Sequence, residues 1–330
     1  MTTIKDNIRR VASALGCRLP APRFLSPRLP AILVYHGVPR CGPSVSAEIF
    51  ERQLLFLKQR YELVSWERLG LPRSRLNKLQ VVLTFDDGFR NNAEVVAPIL
   101  RRHRIPAVFF VCSRHAEPGR YLWFSYLRAL EKWFKGAGFQ FRGRYFDMGA
   151  SKRQSSVAEL WSLLLDLRPH PGAMYRAIEE ECPRLQDFAP ESDLADCFAG
   201  MSAEQVEELS RDPLFTIGIH TVDHPYLTKC DADEAGRQME DNKLWIERLT
   251  QKKCDLIAYP LGDYSADVLR HCERLNLRWG FSVENSIEGD PRLQLLRVGI
   301  YHPSLDELGF KVRWGRMLMH AHRYGYLVNH

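Results

Sequence analysis

The chain of 330 residues is long enough for one large domain or two ordinary ones, and 45% of its residues are hydrophobic. This composition is typical of a globular protein with a sizeable core and excludes a chain that is disordered throughout. The 46 Lys and Arg residues against 40 Asp and Glu residues give a net charge of +6, but no basic run interleaved with aromatic residues accompanies it, so the charge does not indicate nucleic-acid binding.

The first 30 residues combine a short amphipathic stretch with a proline-rich connector and predict an appendage before the folded domain. They contain no apolar stretch followed by a small-residue cleavage site, and no run in the chain reaches the roughly 18 apolar residues that a membrane-spanning helix needs. The eight cysteines are scattered without a C-x-x-C pair, as is typical of reduced thiols. We therefore expect a cytoplasmic protein.

Strands and helices alternate over the next segment of the chain. The stretch "VVLTF" lacks polar alternation, which predicts a strand covered on both faces, as in a parallel sheet. The stretch "SAEIFERQLLFLKQRY" has helical apolar spacing. The predicted elements are, in chain order, a strand at 31–38, a helix at 46–61, a short strand and turn from 62, a strand at 81–85, a helix near 92–104 and a strand at 106–112.

Residues 116–200 interrupt this alternation with helical patches around the polar "GRYFDMGASKRQSS". Strand-like segments bound them on both sides, so we interpret them as an insertion that shapes a binding groove. Tyr121 and Trp123 either belong to its core or present an aromatic face to a ligand. A capping box at Ser202 and Gln205 then begins a helix. The elements that follow are a strand at 214–220, a helix at 232–250, a strand at 254–260, a helix near 265–275, and strands at 278–284 and 295–301. This count favours a barrel-like parallel α/β fold with eight strands or fewer.

Two acids and two histidines directly follow predicted strands. Asp86 and Asp87 alone would be typical of a turn and a helix N-cap. His220 and His224, four residues apart, can present two imidazoles to one metal ion, and a carboxylate from Asp86 or Asp87 would complete three protein ligands. Three ligands leave a position open, as in catalytic zinc sites. Because adjacent residues that leave a strand point in different directions, one aspartate can bind the metal while its neighbour acts as a base.

A third segment, "AYPLGDY", places Pro260, Leu261 and Gly262 after another predicted strand. A backbone N–H group in this turn could point at the oxyanion that develops when a carbonyl group is attacked. The site predicted so far therefore contains metal ligands, a base and an oxyanion donor.

The chain resembles the polysaccharide deacetylase family, the NodB-homology domain of carbohydrate esterase family four. The motifs "TFDDG", "HTVDH" and "YPLGD" carry the resemblance, in this order after "LVYHGV" and "FERQLLFLKQRYELVS", and it covers roughly residues 31–115 and 200–300. It implies a distorted (β/α) barrel that removes N-acetyl, or sometimes O-acetyl, groups from sugars with a bound divalent metal ion, usually Zn²⁺.

The resemblance also implies a role for each motif residue. Asp86 resembles the general base, and the Leu261 backbone N–H resembles the oxyanion donor. Asp87, His220 and His224 resemble the metal ligands.

The chain departs from the family pattern at two places. Many members have an arginine two residues before the proline of the third motif, where this chain has Ala258, and many have Leu-x-His near the end, where this chain has Leu295, Leu296 and Arg297. A subgroup whose first strand ends in Tyr-His is thought to take its catalytic acid from that histidine, which His36 matches.

Without the resemblance, we would interpret His36 as a packed imidazole bonded to a backbone carbonyl. His302 follows the last predicted strand and is a second candidate for the acid.

These observations predict a metal-dependent hydrolase that removes the N-acetyl group of an amino sugar in polysaccharide or surface-glycan biosynthesis. The alternatives are a deformylase of a lipid-linked amino sugar and a catalytically inactive carbohydrate-binding relative. The substrate would be an N-acylated sugar within a polysaccharide, or a lipid-linked or nucleotide-linked sugar.

The predicted domain limits are an appendage at 1–30, a catalytic domain at 31–310 and a basic tail at 311–330. Basic residues near both ends allow at most a peripheral, reversible membrane contact.

Overall fold

Buried apolar strands form the centre of the fold. The structure, a computed structural model, describes residues 30–40, 45–70, 78–167, 169–283 and 287–321. Its strands are β1 (Ala31–Tyr35), β2 (Glu62–Leu63), β3 (Gln80–Phe85), β4 (Ala107–Val111), β5 (Gly138–Phe141), β6 (Arg144–Asp147), β7 (Phe215–Ile219), β8 (Leu256–Ala258), β9 (Trp279–Ser282), β10 (Leu295–Leu296) and β11 (Val298–Gly299). All of them except β5 and β6 belong to one sheet.

This sheet returns to its own first strand. Its order is β10-β9-β8-β7-β4-β3-β1-β11, with β2 paired to β3, and its pairings are parallel. The two end strands, β10 and β11, are consecutive in the chain and separated by Arg297 alone. One short segment therefore joins both edges of the sheet, and the predicted distorted (β/α) barrel is confirmed.

Helices cover the outside of the barrel and build the insertion. They are α1 (Ala47–Arg60), α2 (Ala97–His103), α3 (Trp123–Trp133), α4 (Arg153–Leu165), α5 (Pro171–Glu181), α6 (Leu185–Phe188), α7 (Glu191–Cys197), α8 (Ala203–Arg211), α9 (Ala232–Thr250), α10 (Ala266–Arg274) and α11 (Leu305–Ala321). A π-helical turn, Asn92–Val96, precedes α2. The predicted capping box at the start of α8 is confirmed, because Ser202 and Gln205 exchange both hydrogen bonds. No described helix is both long and apolar enough to span a membrane.

Alternate residues of the barrel strands belong to different cores, as the two-residue period of a strand requires. Ile32, Val82 and Val108 belong to one buried cluster with Phe281. The residues that follow them, such as Leu33, belong to a larger cluster that includes the apolar side chains of the surrounding helices. This double burial explains why the strand sequences show no polar alternation.

The insertion has its own buried cluster, which extends from Leu122 to Leu194 and also includes Phe89 and Cys112 from the barrel. It contains an antiparallel hairpin of β5 and β6, which the sequence interpretation missed because it took this polar region as a separator. The signal was present: Phe139 and Phe141 alternate with polar residues, and Arg142 and Gly143 adopt the positive φ angles of a tight hairpin turn.

The last described helix extends past residue 310, where the predicted catalytic domain ends. Helix α11 continues past residue 310 to Ala321, and Val312 is buried, so residues 311–321 continue a helix of the domain. The rest of the predicted basic tail, 322–330, and residues 1–29 of the predicted appendage lie outside the described residues.

Candidate active site

Three side chains that could bind a metal ion meet where β3 and β7 end. Oδ1 of Asp87 lies 3.3 Å from Nε2 of His220 and 3.3 Å from Nε2 of His224. One ligand atom from each residue lies within 4.8 Å of the others, and all three residues are buried. The structure therefore brings together the three residues that the sequence predicts as metal ligands.

The hydrogen bonds of these residues leave the ligand atoms available. Nδ1 of His220 lies 2.8 Å from the Ala258 carbonyl oxygen, which can only accept, so Nδ1 carries the hydrogen and Nε2 keeps its lone pair. Oδ1 of Asp87 is buried and has no hydrogen-bond partner among the described residues, which is costly for a carboxylate without a cation. One oxygen and two imidazole nitrogens are ligand types of catalytic Zn²⁺ sites. The residues present therefore fit a divalent metal ion.

Two of these residues have left-handed backbone conformations, with φ angles of 73° at Asp87 and 54° at His224. Such conformations cost about 1–3 kcal/mol each and persist only where the surroundings hold them. The buried His115 imidazole contacts the Asp87 carbonyl oxygen at 3.0 Å and the Phe198 carbonyl oxygen at 2.9 Å. Oγ1 of Thr221 accepts from the His224 N–H at 3.1 Å. The fold thus shapes both loops before any ligand binds.

Asp86 pairs with Arg297. Nη1 of Arg297 donates to Oδ1 of Asp86 and Nη2 donates to Oδ2, each at 2.7 Å. Nη1 also donates to Oγ1 of Thr84 at 3.1 Å. Asp86 and Arg297 are both buried, but each carboxylate oxygen keeps a further lone pair. Asp86 is therefore held in place and can still accept a proton.

Both aspartates are ionised at neutral pH. Burial raises the pKa of Asp86, but the Arg297 guanidinium and His220 outweigh burial and hold that pKa below its ordinary value. Burial also raises the pKa of Asp87, but the neighbouring His220 and His224 imidazoles lower it well below its ordinary value. The site thus contains one carboxylate beside the imidazoles and a second one beside an arginine.

His36 lies close to both carboxylates. Burial lowers the pKa of His36 below its ordinary value, although the charges of Asp87 and Asp86 oppose this shift. Its Nδ1 is buried and has no hydrogen-bond partner among the described residues, which differs from a histidine that is bonded to a backbone carbonyl. The side chain of His302 is 53% exposed, and its Nδ1 lies 3.5 Å from Oε2 of Glu307. The structure thus brings His36, but not His302, to the two aspartates.

Leu261 lies in the turn after β8 with φ 59° and ψ 6°. Among the hydrogen bonds of the described residues, the Leu261 N–H donates none. Oγ of the buried Ser282 donates to the Gly262 carbonyl oxygen at 3.1 Å and fixes the turn. The carbonyl oxygen of Ala258, the last residue of β8, accepts the hydrogen bond from His220. The same short segment therefore positions both the Leu261 N–H and the predicted metal ligand His220.

The insertion contacts His224 directly. Nε1 of Trp123 donates to the His224 carbonyl oxygen at 3.2 Å, and the Phe124 ring meets the His224 ring edge-on with centroids 4.9 Å apart. The Tyr175 hydroxyl donates to the carbonyl oxygen of Asp223 at 3.1 Å. Trp123 is only 1% exposed, so the suggestion that it stacks on a sugar is wrong. It is a core residue that supports a loop of the site.

Asp223, which precedes His224, is held by side chains from two directions. Nε of Arg114 donates to its Oδ1, and Nε2 of Gln238 donates to its Oδ2 at 2.7 Å. The backbone N–H of Asp223 donates to Oε1 of Gln238 at 2.9 Å. This buried network fixes the loop that presents His224.

Arg297 is the residue that the sequence interpretation missed. This chain has Ala258 where many family members have an arginine, but the structure supplies a guanidinium to Asp86 from between β10 and β11. A signal was available, because an arginine inside the apolar run "LLRVGI" can be buried only if it is paired.

Comparison with known proteins gives one family. The family model described as polysaccharide deacetylase matches residues 73–135 and 184–280. The unmatched residues between these two segments lie inside the predicted insertion. YxkH of Bacillus subtilis strain 168, a polysaccharide deacetylase by name, is 25% identical over 84 residues, which cover 26% of this chain and only 30% of that protein.

Two solved structures resemble this one along most of the chain. The deacetylase PplD of Streptococcus pyogenes, in complex with acetate, is 21% identical with a TM-score of 0.54, and the match covers 86% of this chain and 97% of that chain. IcaB of Ammonifex degensii is 17% identical with a TM-score of 0.56, and the match covers 87% and 98% of the two chains. At these identities the likeness shows a shared fold.

Proposed function

Because the chain belongs to the polysaccharide deacetylase family, we propose that it is a metal-dependent deacetylase that hydrolyses the N-acetyl group of an amino sugar in polysaccharide or surface-glycan biosynthesis. The observation that carries this proposal is the pairing of Asp86 with Arg297 directly beside Asp87, His220 and His224. Asp86 is not one of the three candidate metal ligands, so its carboxylate can act as a base. A site that only binds a metal would not need such a base.

In this mechanism Asp87, His220 and His224 would hold a divalent ion, which we propose to be Zn²⁺. The ion would polarise the amide carbonyl and make water acidic near neutral pH. Asp86 takes a proton from the attacking water, and Arg297 keeps the carboxylate ionised and oriented while it does so. The Leu261 N–H donates to the developing oxyanion, a role worth about 3–4 kcal/mol for a well-placed donor.

His36 is neutral at the start, because burial lowers its pKa. It accepts from Asp86 the proton that the water has lost and gives it to the amine as the C–N bond breaks. One proton thus passes from water to the sugar amine, and both residues return to their starting states. The cytoplasmic location stays a prediction.

The test is acetate and formate release from a panel of N-acetylated and N-formylated sugars, free, polymeric, lipid-linked and nucleotide-linked, by the Zn²⁺-loaded protein. Asp86→Asn should lower turnover about 100- to 10,000-fold, as expected for loss of a general base. Asp267→Asn, a change at an exposed aspartate of α10, is the matched control and should not alter the rate. Formate release without acetate release would favour a deformylase, and no release from any substrate would reject the proposal.

A further inference from the structure

Arg128 is an exposed residue in a part of α3 whose other residues, from Trp123 to Leu130, are buried. It follows Phe124 by four residues and therefore lies one turn further along the same helix face. Its guanidinium carbon is 5.6 Å from the centre of the Phe124 ring, and that ring packs on His224 at 4.9 Å. Arg128 therefore contacts Phe124, which in turn contacts the predicted metal ligand His224.

This charge is unneutralised within the described part of the chain. Arg128 makes the contact with Phe124, but no described carboxylate lies within ion-pair distance of it. Arg120, in the same insertion, differs in this respect, because it pairs with Glu117 and Glu179. Arg128 can therefore bind an external anion without first giving up a partner.

Tyr301 is a second exposed residue near the site, with 57% of its surface accessible. Its ring centre lies 5.6 Å from that of His36. The ring also lies against Gly299, where an added Cβ atom would come within 2.4 Å of Cε2 of Tyr301. An exposed aromatic ring in a fixed position offers an apolar face to the C–H groups of a sugar and a hydroxyl group at its edge.

Electrostatics connect the two residues. Partial burial and the charges of Asp86 and Asp87 raise the pKa of Tyr301 to about 12, and the Arg297 and Arg128 guanidiniums oppose this rise. Tyr301 contacts His36, and Arg128 contacts Phe124, which packs on His224, so both residues border the same group of site residues.

We propose that Tyr301 and Arg128 form a substrate subsite, in which the tyrosine stacks on the sugar and the arginine binds an anionic group near the scissile amide. This inference rests on the proposed deacetylase function and narrows its substrate to an amino sugar that carries a phosphate or a carboxylate. Both groups match the planar donor pair of a guanidinium, which can form two parallel hydrogen bonds with either.

The test compares kcat/KM for N-acetylglucosamine, its 1-phosphate, its UDP derivative and N-acetylmuramic acid, using the full-length Zn²⁺-loaded protein. We expect the wild type to prefer at least one anionic sugar over the neutral one by tenfold or more. Arg128→Gln should reduce that preference about tenfold or more through KM, and Arg128→Lys should retain part of it. Arg120→Gln, the matched control, should leave the preference unchanged. The anion that gives the largest Arg128 effect identifies phosphate or carboxylate as the natural group.

Tyr301 is tested with two variants. Tyr301→Ala should raise KM for neutral and anionic sugars alike, and Tyr301→Phe should keep most of the affinity because the ring remains. Equal rates for neutral and anionic sugars, or an unchanged preference in Arg128→Gln, would overturn the subsite while leaving the deacetylase function intact. Absence of release from every sugar by the wild type would instead reject the deacetylase function itself.

Discussion

The Asp86 carboxylate and the Arg297 guanidinium are joined by two hydrogen bonds of 2.7 Å across 211 residues of sequence. Asp86 follows β3, and Arg297 separates the two strands that close the barrel. Both groups are buried, so each depends on the other for its charge to be tolerated in the protein interior.

Arg297→Met is expected to lower the free energy of unfolding by about 3–5 kcal/mol, because it leaves a buried carboxylate unpaired. Acetate release should fall as well, since Asp86 is then no longer held ionised. Urea denaturation measures the first effect, provided that the m-value is unchanged.

The double variant Asp86→Asn/Arg297→Met is the control for this prediction. It removes both charges, so it should be more stable than Arg297→Met alone. An Arg297→Met protein of wild-type stability would show that the pair does not contribute as described.

His220→Ala and His224→Ala are expected to lose bound metal and acetate release together, because each removes one of three ligands. Metal content after dialysis, measured by atomic emission, is the direct readout. Chelation of the wild type should abolish turnover, and added Zn²⁺ should restore it. His271→Ala, at a histidine of α10, serves as the control, while full metal occupancy in both ligand variants would contradict the assignment.

Asp86→Asn should show whether Asp86 acts as a base or as a metal ligand. The variant is expected to keep the metal content of the wild type while its turnover falls. Metal analysis and acetate release are measured on the same preparation. Loss of metal from Asp86→Asn would make Asp86 a ligand instead of the base.

Trp123→Phe is expected to weaken metal binding several-fold with little change in overall fold. The phenyl ring still fills much of the space, but the donor to the His224 carbonyl is lost, and a hydrogen bond of this kind contributes about 1 kcal/mol. Competition with a chromophoric chelator measures the metal dissociation constant. Trp133→Phe changes a tryptophan of the same helix that does not contact His224, so equal effects of the two variants would indicate general destabilisation.

Gly88→Ala should disturb the loop that carries Asp87. Gly88 has a φ of +75°, and an added Cβ would come within 2.8 Å of Cγ1 of Val111. Backbone strain and overpacking each cost about 1–3 kcal/mol, so the unfolding midpoint in urea should fall. Measured against Val111→Ala alone, Gly88→Ala should cost only the backbone-strain part, and no cost in that background would show that the φ angle contributes nothing.

The sequence was sufficient for the parts of this protein that depend on local pattern. Apolar runs predicted the barrel strands, and the family motifs predicted Asp87, His220 and His224, which the structure brings together. The contact between Asp86 and Arg297 could not be predicted from local pattern, because it depends on which strand ends meet when the barrel closes. The support of His224 by Trp123 and Tyr175 was equally inaccessible, since it depends on how the insertion folds back onto the barrel.

Barrel closure also determines when the candidate site can form during synthesis of the chain. Leu33 of β1 pairs with Val298 of β11, so β1 leaves the ribosome long before β11 has been made. Pairings between such distant residues form slowly. Until residue 297 emerges, Asp86 is an acid without its cation and the edge of β1 is open. The proposed site is therefore complete only when the last barrel segment has been made, and a chain that ends before Arg297 would lack the cation that holds Asp86.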